Sequence, residues 1–486
     1  MRTGNFILKR KDMKAQNKIF NIVASVLILV IFSVSCSKDF LELEPYSDVS
    51  ADIAISNEAD MGAALNGAYG TLRNSNLFGR TLPLFGDLIA DNVYISAINS
   101  NRYLDFFQVN YTVNNTNASA IWQNAYTTIL RANNIINSEL ASSGKVDQYR
   151  AEARAIRALM YFELVKHYAK PYQVDPSGLG VPIVLTYDPK LKPERNSIAE
   201  VYAQIEDDLS KAIPDLSVDN SSGFFTSYAA KALLARLYLF KHEWSKALTT
   251  SQDIIDNSGF TLVPAQGVVD FWKRNTPRTD KVEVLFEVAF DAVQNAGIDA
   301  LDYFYDQQGY GDALAADAFY VMFSATDVRR QLFLTSSPIR GDVKVVNKYP
   351  NSSSADPDEF KVLRLSEVYL TAAEAAFQSG NESLALDYLN ELVAERDPAF
   401  AGYSSSGQAL FNDILTERRK ELAFEGQRYW DLARYNLPVN RINMSANYPG
   451  NVPLTIAADN FRRILPIPQT ELDANPNIRD QQNPGY

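Results

Sequence analysis

Apolar residues recur every three or four positions over much of this chain, which is the spacing of one face of an α-helix. Between 118 and 140, for example, Ile121, Trp122, Tyr126 and Ile129 fall on one face. The pattern predicts helices from 57 or 60 to 72, and at 118–140, 147–168, 197–213, 227–242, 244–257, 363–379, 382–395 and 408–432. Helices should therefore dominate the fold.

Small residues suggest how these helices pair. Ala235 is followed twelve positions later by Ala247, and Ala373 by Ala385, in each case across a short turn. Small residues allow two antiparallel helices to approach closely, as they do in tetratricopeptide units. Similar pairing suits 118–140 with 147–168 and 197–213 with 227–242. We predict a mainly all-α fold, a tetratricopeptide-like right-handed stack of helical hairpins.

Two long stretches lack a helical period. Residues 78–111 are aromatic and punctuated by Gly79, Pro83 and Gly86, and they are predicted to form a surface loop system. Residues 260–358 are richer in Gly, Pro, Asp and aromatics, with short strand-like pieces at 282–290 and 343–349. These stretches are predicted to be irregular loop and short-strand insertions between the helices.

The N-terminus has the features of an export signal. Lys14 and Lys18 precede an apolar run at 19–34, and Cys36, the single cysteine, follows small residues. This order predicts a lipoprotein signal peptide with an acylated Cys36, while a membrane-spanning signal anchor is the alternative, for which the run is short. Either Met1 or Met13 is the start.

The predicted regions are a signal peptide at 1–35, an extended lipid-anchored tether at 36–50, an N-terminal helical region with three hairpins at 51–260, a loop-rich insertion at 261–358 and a C-terminal helical region at 359–486.

The charge balance narrows the classes of partner. The chain carries 46 basic and 58 acidic side chains, of which six basic and one acidic lie in residues 1–35. The mature protein would thus keep 40 and 57, a net charge near −17. Nucleic-acid binding needs a basic surface and is disfavoured. With one cysteine, and with His167 and His242 far apart in helical patterns, no disulfide, metal site, catalytic thiol or cofactor is predicted.

Three acids at four-residue spacing, Glu417, Glu421 and Glu425, fall on one predicted helical face. Two carboxylates could serve glycoside hydrolysis. The sequence also places Arg418, Arg428 and Arg434 nearby, and an adjacent arginine lowers the pKa that a general acid needs to keep high. We therefore favour ion-paired acids that join the last helices, with Asp431 and Arg434 as a further pair, and no catalytic residue is predicted.

Several stretches of the chain have the patterns of known family motifs. In the C-terminal third, 363–374 is similar to the helix motif "lRlaEvyLlyAEa" and 417–434 to the segment "ER..EL.fEG.R..DL.R". Earlier matches are Cys36, Asp39, Phe40, Leu41 and Pro45 at the tether, Gly67, Ala68, Tyr69 and Leu72, the segment from Trp122 to Ile136, and the segment from Glu152 to Leu164. Together these stretches resemble the SusD/RagB family of surface nutrient-binding lipoproteins, most closely in the C-terminal third. The matches span nearly the whole mature chain.

The resemblance implies a binding protein and not an enzyme. Such a protein would be lipid-anchored at the outer membrane, face the cell exterior, and pass captured oligosaccharide to a SusC-like TonB-dependent transporter. A peptide-binding member of the same fold remains an alternative, as do an anchored glycan-cleaving enzyme and a helical-repeat scaffold. The identity of the glycan and any calcium dependence stay open.

The ligand surface in this family is expected on loops inserted between helices. Sugar sites combine flat aromatic rings with planar polar side chains, so aromatics outside the helical periodicity are the candidates. The candidate ligand-binding residues are Asn92, Tyr94, Arg102, Tyr103, Trp272, Tyr303, Tyr305 and Tyr310. Asp306, Gln307 and Gln308 are hydrogen-bonding neighbours of the last group.

Overall fold

Helices make up most of the fold, as the periodicity predicts. The computed structural model of the protein describes residues 55–188, 190–354 and 359–486. The predicted signal peptide, the tether and Cys36 lie outside the described residues. None of the helices within the described ranges is both long enough and apolar enough to cross a membrane.

Helix starts follow local side-chain signals. Asn57 caps the first helix by accepting from the backbone N–H groups of Ala59 and Asp60, and Ser197 forms a capping box with Glu200. The longer helices are α1 Glu58–Leu72, α2 Thr81–Leu88, α4 Thr116–Ile136, α5 Gly144–Tyr168, α6 Ile198–Ala212, α7 Ser227–Lys241, α8 Trp244–Asn257, α12 Leu365–Gln378, α13 Glu382–Ala394 and α14 Gly407–Glu421. The shorter ones are α3 Leu104–Gln108, α9 Val268–Lys273, α10 Leu301–Tyr305, α11 Asp317–Tyr320, α15 Arg428–Arg434 and α16 Gln469–Ala474.

The helices form the predicted stack, in which neighbouring helices pack against each other. Helix α4 packs on α5, α5 on α6, α7 on α8, and α12 lies between α8 and α13. The paired alanines Ala235, Ala247, Ala373 and Ala385 are all buried. Burial of these small side chains agrees with the close packing of paired helices that the twelve-residue spacing predicts.

Within the described residues, short strands form three small sheets. They are β1 Val93–Ile95, β2 Val284–Val288, β3 Ala313–Ala315, β4 Phe333–Leu334, β5 Lys344–Val346, β6 Phe360–Arg364, β7 Val439–Asn440 and β8 Thr455–Ile456. The largest sheet has the order β1-β3-β5-β4 and is antiparallel, with Tyr94 opposite Leu314 and Leu314 opposite Val345. It joins the segment 78–111 to the 260–358 insertion, while β2 pairs with β6.

The prediction that 78–111 is a surface loop system is wrong. The segment contains α2, β1 and α3, and all eight residues of α2 are buried. Pro83 sits in the first turn of α2, where a missing N–H costs no helical hydrogen bond. Gly86 allows close packing against Gly426. The Gly and Pro residues that suggest a loop therefore belong to a buried helix.

The predicted helix at 408–432 is interrupted. Helix α14 ends at Glu421, and Phe424 and Gly426 adopt left-handed backbone angles, with φ of 65° and 73°, before α15 begins at Arg428. The predicted helix at 363–379 instead begins at Leu365, because the preceding residues form β6. One hydrophobic core includes residues from the helical parts and from the insertion, so the boundaries at 260 and 358 stay a prediction.

Candidate functional site

The acids considered for hydrolysis lie inside a network of buried ion pairs. Glu421 is 2.9 Å from both Arg364 and Arg396, and 3.1 Å from Arg329. Glu417 pairs with Arg329 at 2.8 Å, and Glu425 with Arg364 at 2.7 Å. All three carboxylates are almost fully buried. The structure confirms that these acids are ion-paired.

The same network sets their protonation. Burial raises the pKa of Glu421, but Arg396, Arg364 and Arg329 outweigh it and hold that pKa well below its usual range. Burial also acts to raise the pKa of Glu417 and Arg329 acts to lower it, and the net effect is a lowered pKa. A carboxylate that stays ionised and buried cannot deliver a proton to a leaving group. The geometry therefore favours a structural role for these acids.

Two of the candidate ligand-binding residues lie in or beside β1. Tyr94 and Asn92 are fully buried, Tyr94 against Tyr448 and Asn92 as the acceptor of a 2.6 Å hydrogen bond from Arg419. Burial is the main cause that raises the pKa of Tyr94 to about 12. Neither side chain reaches the surface, because β1 is packed between α2 and β3.

Tyr103 and Trp272 are also inside, at 6% and 4% exposure. The Tyr103 hydroxyl accepts from Arg80 Nε at 2.9 Å, which holds the ring in place. Lys348 Nζ lies 3.9 Å from the centroid of the Trp272 ring, which makes a buried cation–π contact. Both rings contribute to the core in this structure.

Tyr305 is buried because its hydroxyl has a partner in α2. It donates a 2.8 Å hydrogen bond to Asp87 Oδ2, and the backbone N–H of Gly426 approaches the other oxygen at 3.3 Å. Burial raises the pKa of Asp87 to about 7, although the Tyr305 hydroxyl and Lys348 both act to lower it. Folding therefore favours the protonated carboxyl.

Replacing Asp87 by asparagine is expected to change how stability depends on pH. The folded pKa lies above the unfolded one, so the stabilising contribution of Asp87 is complete below about pH 3.8 and is lost as pH rises through 7. Between pH 5 and pH 8, the free energy of unfolding of the wild type should fall by roughly 2–3 kcal/mol more than that of Asp87→Asn. Urea unfolding at the two pH values measures this difference. Both proteins carry the same histidines, so the titration of the histidines cancels in this difference.

A control for that prediction is Tyr305→Phe, which removes a donor to the same carboxylate. The Tyr305 hydrogen bond acts to lower the pKa of Asp87. Without this hydrogen bond, the protonated form of Asp87 should be favoured further. The free energy of unfolding should therefore fall more steeply with pH in Tyr305→Phe than in the wild type. Parallel pH profiles for Asp87→Asn and the wild type would contradict the assignment of the titration to Asp87.

The remaining three candidates come together at the surface. Arg102, Tyr303 and Tyr310, hereafter the aromatic cluster, are each partly exposed. The guanidinium carbon of Arg102 lies 3.9 Å from the centroid of the Tyr310 ring. The Tyr303 and Tyr310 rings meet edge to face, with centroids 4.8 Å apart and planes at 80°. The structure thus brings together residues from both predicted insertions.

Arg340 holds the loops that carry the aromatic cluster. It donates to the carbonyl oxygens of Ile98 and Tyr310 and to Gln307 Oε1, each at 3.0 Å. It is also ion-paired with Asp312 at 3.4 Å. Ile98 and Tyr310 lie on the two different insertions, so one buried guanidinium links them. A fixed cluster loses less conformational entropy on binding than mobile side chains would.

The backbone around Arg102 is strained. Asn101 and Tyr103 have φ values of 64° and 56°, in the left-handed region, which asparagine adopts readily and tyrosine seldom does. Two such residues directly flank Arg102. Strain of this kind persists only where the surroundings impose it, and it is frequent at binding sites. The Arg102 guanidinium between these two residues lies over the Tyr310 ring.

The aromatic cluster can offer apolar ring surface beside polar groups. Two phenol hydroxyls and a guanidinium present donors and acceptors, and the exposed Gln308 lies nearby in the same loop. The exposed Ile98 and Ile339 add apolar surface next to the Arg340 contacts. Among the described residues, no group of three or more His, Cys, Asp or Glu side chains is placed to hold a metal ion. The rings, hydroxyls and guanidinium together suit a ligand with both polar and apolar faces.

Sequence reasoning missed Arg340 and Asp312 as supports of this site. Gln307 was expected only as a hydrogen-bonding neighbour, yet it accepts from both Arg340 and Ser337. Arg340 is 33 positions from Gln307 and has no local pattern that marks it. Only the tertiary fold reveals this support.

Comparisons with known proteins identify the family. A family model described as the SusD family matches residues 283–486, and another, described as starch-binding associating with outer membrane, matches residues 39–239. A solved structure from Bacteroides vulgatus, provisionally named a sugar binding protein, is 30% identical with a TM-score of 0.81, covering 89% of this chain and 99% of that one. The chain belongs to the SusD/RagB family.

Other SusD/RagB relatives are similar over nearly the whole chain. A SusD superfamily structure from Bacteroides thetaiotaomicron is 28% identical with a TM-score of 0.81, covering 88% of this chain and all of that one (100%). SusD-like protein P2 of Formosa agariphila is 27% identical over 95% of this chain and 98% of its own. The resemblance and the tetratricopeptide-like fold class are thereby confirmed.

The motif that carries most of the resemblance has a structural role in this SusD/RagB chain. Its acids and arginines at 417–434 form the buried ion pairs, including Arg418–Asp431 at 2.7 Å and Arg434–Asp431 at 3.0 Å. The predicted pairing of Asp431 with Arg434 is confirmed. The aromatic cluster lies outside that motif, so family membership alone does not fix the ligand-binding residues.

Proposed function

We propose that this protein binds oligosaccharide at the aromatic cluster and delivers it to a SusC-like TonB-dependent transporter in the outer membrane. The proposal rests mainly on the fixed arrangement of Arg102, Tyr303 and Tyr310 on two loops that Arg340 joins. A pyranose has an apolar C–H face and a rim of hydroxyls, and ring surface beside planar donors complements both.

The family supports a carbohydrate ligand and an outer-membrane setting. The model that matches residues 39–239 is described as starch-binding and associating with outer membrane. We propose that Cys36, outside the described residues, is acylated and holds the protein on the exterior face of that membrane. The buried, ion-paired state of Glu417, Glu421 and Glu425 supports binding over hydrolysis.

Substitutions in the aromatic cluster are expected to weaken oligosaccharide binding. Arg102→Ala removes the guanidinium that lies on Tyr310, and Tyr310→Ala removes the ring, so each should lower affinity about tenfold, which corresponds to ~1.4 kcal/mol. The measurement is calorimetry on the full chain in detergent, against neutral oligosaccharides that include malto-oligosaccharides.

A matched control is Tyr228→Ala. Tyr228 is partly exposed and lies 4.8 Å from Lys231 Nζ, so it makes a similar cation–π contact on α7, outside the insertions. It should bind sugar as the wild type does. Unchanged affinity in both cluster variants would place the site elsewhere. A wild-type protein that binds peptides and no glycan would instead assign it to the peptide-binding alternative.

A further inference from the structure

A second concave surface lies between α1, α4 and the segment that follows β2. We call it the α1 groove, and it is lined by Asn66, Asn124, Arg131, Phe224 and Gln294 among others. Its volume is about 1020 Å³. Small-molecule sites usually measure roughly 300–1,000 Å³, so this groove has room for a ligand of several rings. It shares no lining residue with the aromatic cluster.

The lining is polar but electrically balanced. Carboxamide side chains supply planar donors and acceptors from three elements: Asn66 on α1, Asn124 on α4, and Gln294 after β2. Two guanidiniums also line the groove, as do the two carboxylates of Asp291 and Asp299. Such a surface gives little advantage to a strongly charged ligand. It matches a neutral molecule with many hydroxyl groups.

The groove also contains a fixed aromatic ring. Phe224 is partly exposed and packs edge to face against Tyr69, with centroids 5.2 Å apart. Tyr69 is itself held, because its hydroxyl donates to Glu152 at 2.6 Å and accepts from the Phe225 N–H at 2.8 Å. An anchored ring beside carboxamides can contact the apolar face of a sugar.

One side of the groove consists of bare helix backbone. Gly67 and Gly70 lie in the interior of α1, where glycine is unfavourable. A Cβ atom on Gly67 would approach only Arg131 Nη1, at 3.9 Å, and one on Gly70 only Arg73 Nη1, at 4.0 Å. Neither packing nor backbone geometry therefore requires glycine here. Gly62 differs, because its Cβ would meet the Tyr149 hydroxyl at 3.2 Å.

Two arginine side chains tie the walls of the groove together. Arg73, at the end of α1, donates to the carbonyl oxygen of Ala289 at 2.5 Å and to Gln294. On the opposite wall, Arg131 Nη1 donates to the carbonyl oxygen of Gly67 at 2.7 Å. These contacts hold α1 against both neighbouring elements, which lowers the entropic cost of binding.

We propose that the α1 groove is a second saccharide site, which takes a neutral oligosaccharide of several rings independently of the aromatic cluster. The proposal rests on the proposed function, since it assumes that this chain meets carbohydrate. The bare backbone at Gly67 and Gly70 admits the ligand, Phe224 contacts a ring face, and the carboxamides bind hydroxyls.

Filling the groove without disturbing the fold provides the test. Gly70→Leu adds a side chain that points back along α1 toward Gly67 and over the groove, and leucine favours the helix more than glycine does. The variant is made in the wild type and in an Arg102→Ala/Tyr310→Ala background. Gly144→Leu is the matched control, because a Cβ there has nothing within 4 Å and Gly144 does not line the groove.

The probe is a malto-oligosaccharide within a panel of neutral oligosaccharides, measured by calorimetry on the full chain in detergent. We expect the cluster double variant to keep residual binding, and Gly70→Leu to weaken that residual affinity about tenfold or more. The melting temperature of Gly70→Leu should equal or exceed that of the wild type. If the melting temperature of Gly70→Leu is lower than that of the wild type, Asn66→Leu is used in its place, since Asn66 is exposed in the groove.

Two results would overturn the second site. Either the cluster double variant loses all sugar binding, or the groove-filling substitutions leave its residual binding unchanged. Failure of the proposed function has a different signature, because the wild type itself would then bind no oligosaccharide of the panel, and the groove proposal would fall with it.

Discussion

Replacing Gly86 by alanine is expected to lower the free energy of unfolding by about 3 kcal/mol, a large share of the roughly 5–15 kcal/mol that holds a typical protein folded. A Cβ atom on Gly86 would lie 2.7 Å from the carbonyl carbon of Gly426 and 3.1 Å from its Cα. These are backbone atoms of a tight turn, so they cannot move aside as the end of a side chain can. Circular dichroism during urea unfolding measures the loss.

The turn opposite Gly86 cannot relax easily. Gly426 has a φ of 73°, and a Cβ there would lie 2.5 Å from Pro83 Cα, so the two backbones are in close contact from both sides. Gly144→Ala is the control, because nothing lies within 4 Å of its Cβ position, and its stability should stay within about 0.5 kcal/mol of wild type. A Gly86→Ala protein within 1 kcal/mol of wild type would show that α2 and the turn can separate.

Helix α2 packs against helices from both the N-terminal and the C-terminal part of the fold. Phe85 contacts His167 of α5 at 5.1 Å and Trp430 of α15 at 5.9 Å between ring centroids. Loss of α2 packing would therefore be felt by the N-terminal and C-terminal helices together. We expect one cooperative unfolding transition that moves as a whole.

The sequence could predict the stacked helices because each has one buried face. In α6, Val201, Tyr202, Ile205 and Leu209 are buried while the opposite side is polar, so the 3.6-residue period is visible. Helix α2 lacks this signal, because it is buried on every side and has no polar face to alternate with. Periodicity therefore fails where a helix is surrounded by the rest of the protein.

The candidate site was predictable only in part. Tyr305 and Tyr310 look alike in sequence, yet one is buried and the other partly exposed. The difference comes from Asp87, which lies 218 positions from Tyr305 and gives its hydroxyl a partner in the core. No local pattern encodes such a distant contact. The location of the aromatic cluster in the insertions was predictable, but which rings reach the surface was not.

The acids at 417–425 present the opposite case, in which local spacing predicts the partners correctly but not the backbone. Four-residue spacing places Glu417 and Glu421 on one face of α14, where both meet Arg329. Glu425 lies beyond the end of that helix and reaches Arg364 from the turn instead. The predicted ion pairs are therefore present, although the predicted helix is interrupted before Glu425.

The ion-pair network is balanced, so the loss of one carboxylate should have a large effect. Its basic members are Arg329, Lys348, Arg364, Arg396 and Lys420, and its acidic members are Glu283, Asp327, Glu417, Glu421 and Glu425. Glu421 contacts three of the guanidiniums. Its removal leaves a net positive charge in a site from which water is largely excluded.

Glu421→Gln is accordingly expected to lower the free energy of unfolding by about 3–5 kcal/mol at pH 7. Glutamine has the shape of glutamate, so the substitution removes the charge and leaves little cavity. The control is Glu391→Gln, because Glu391 is exposed and accepts a 2.8 Å hydrogen bond from Tyr369, and it should change stability by less than about 0.5 kcal/mol.

The pH dependence separates a charge effect from a packing effect. The arginines hold the pKa of Glu421 below its usual value against the effect of burial, so its contribution is present above about pH 4.5 and is lost as the pH falls through the folded pKa. The gap in stability between wild type and Glu421→Gln should therefore be constant from pH 7 to pH 5 and narrow in more acidic solution. A gap that stays the same at pH 3 would mean that glutamine disturbs the packing, and equal stability at every pH would mean that the guanidiniums do not need this carboxylate.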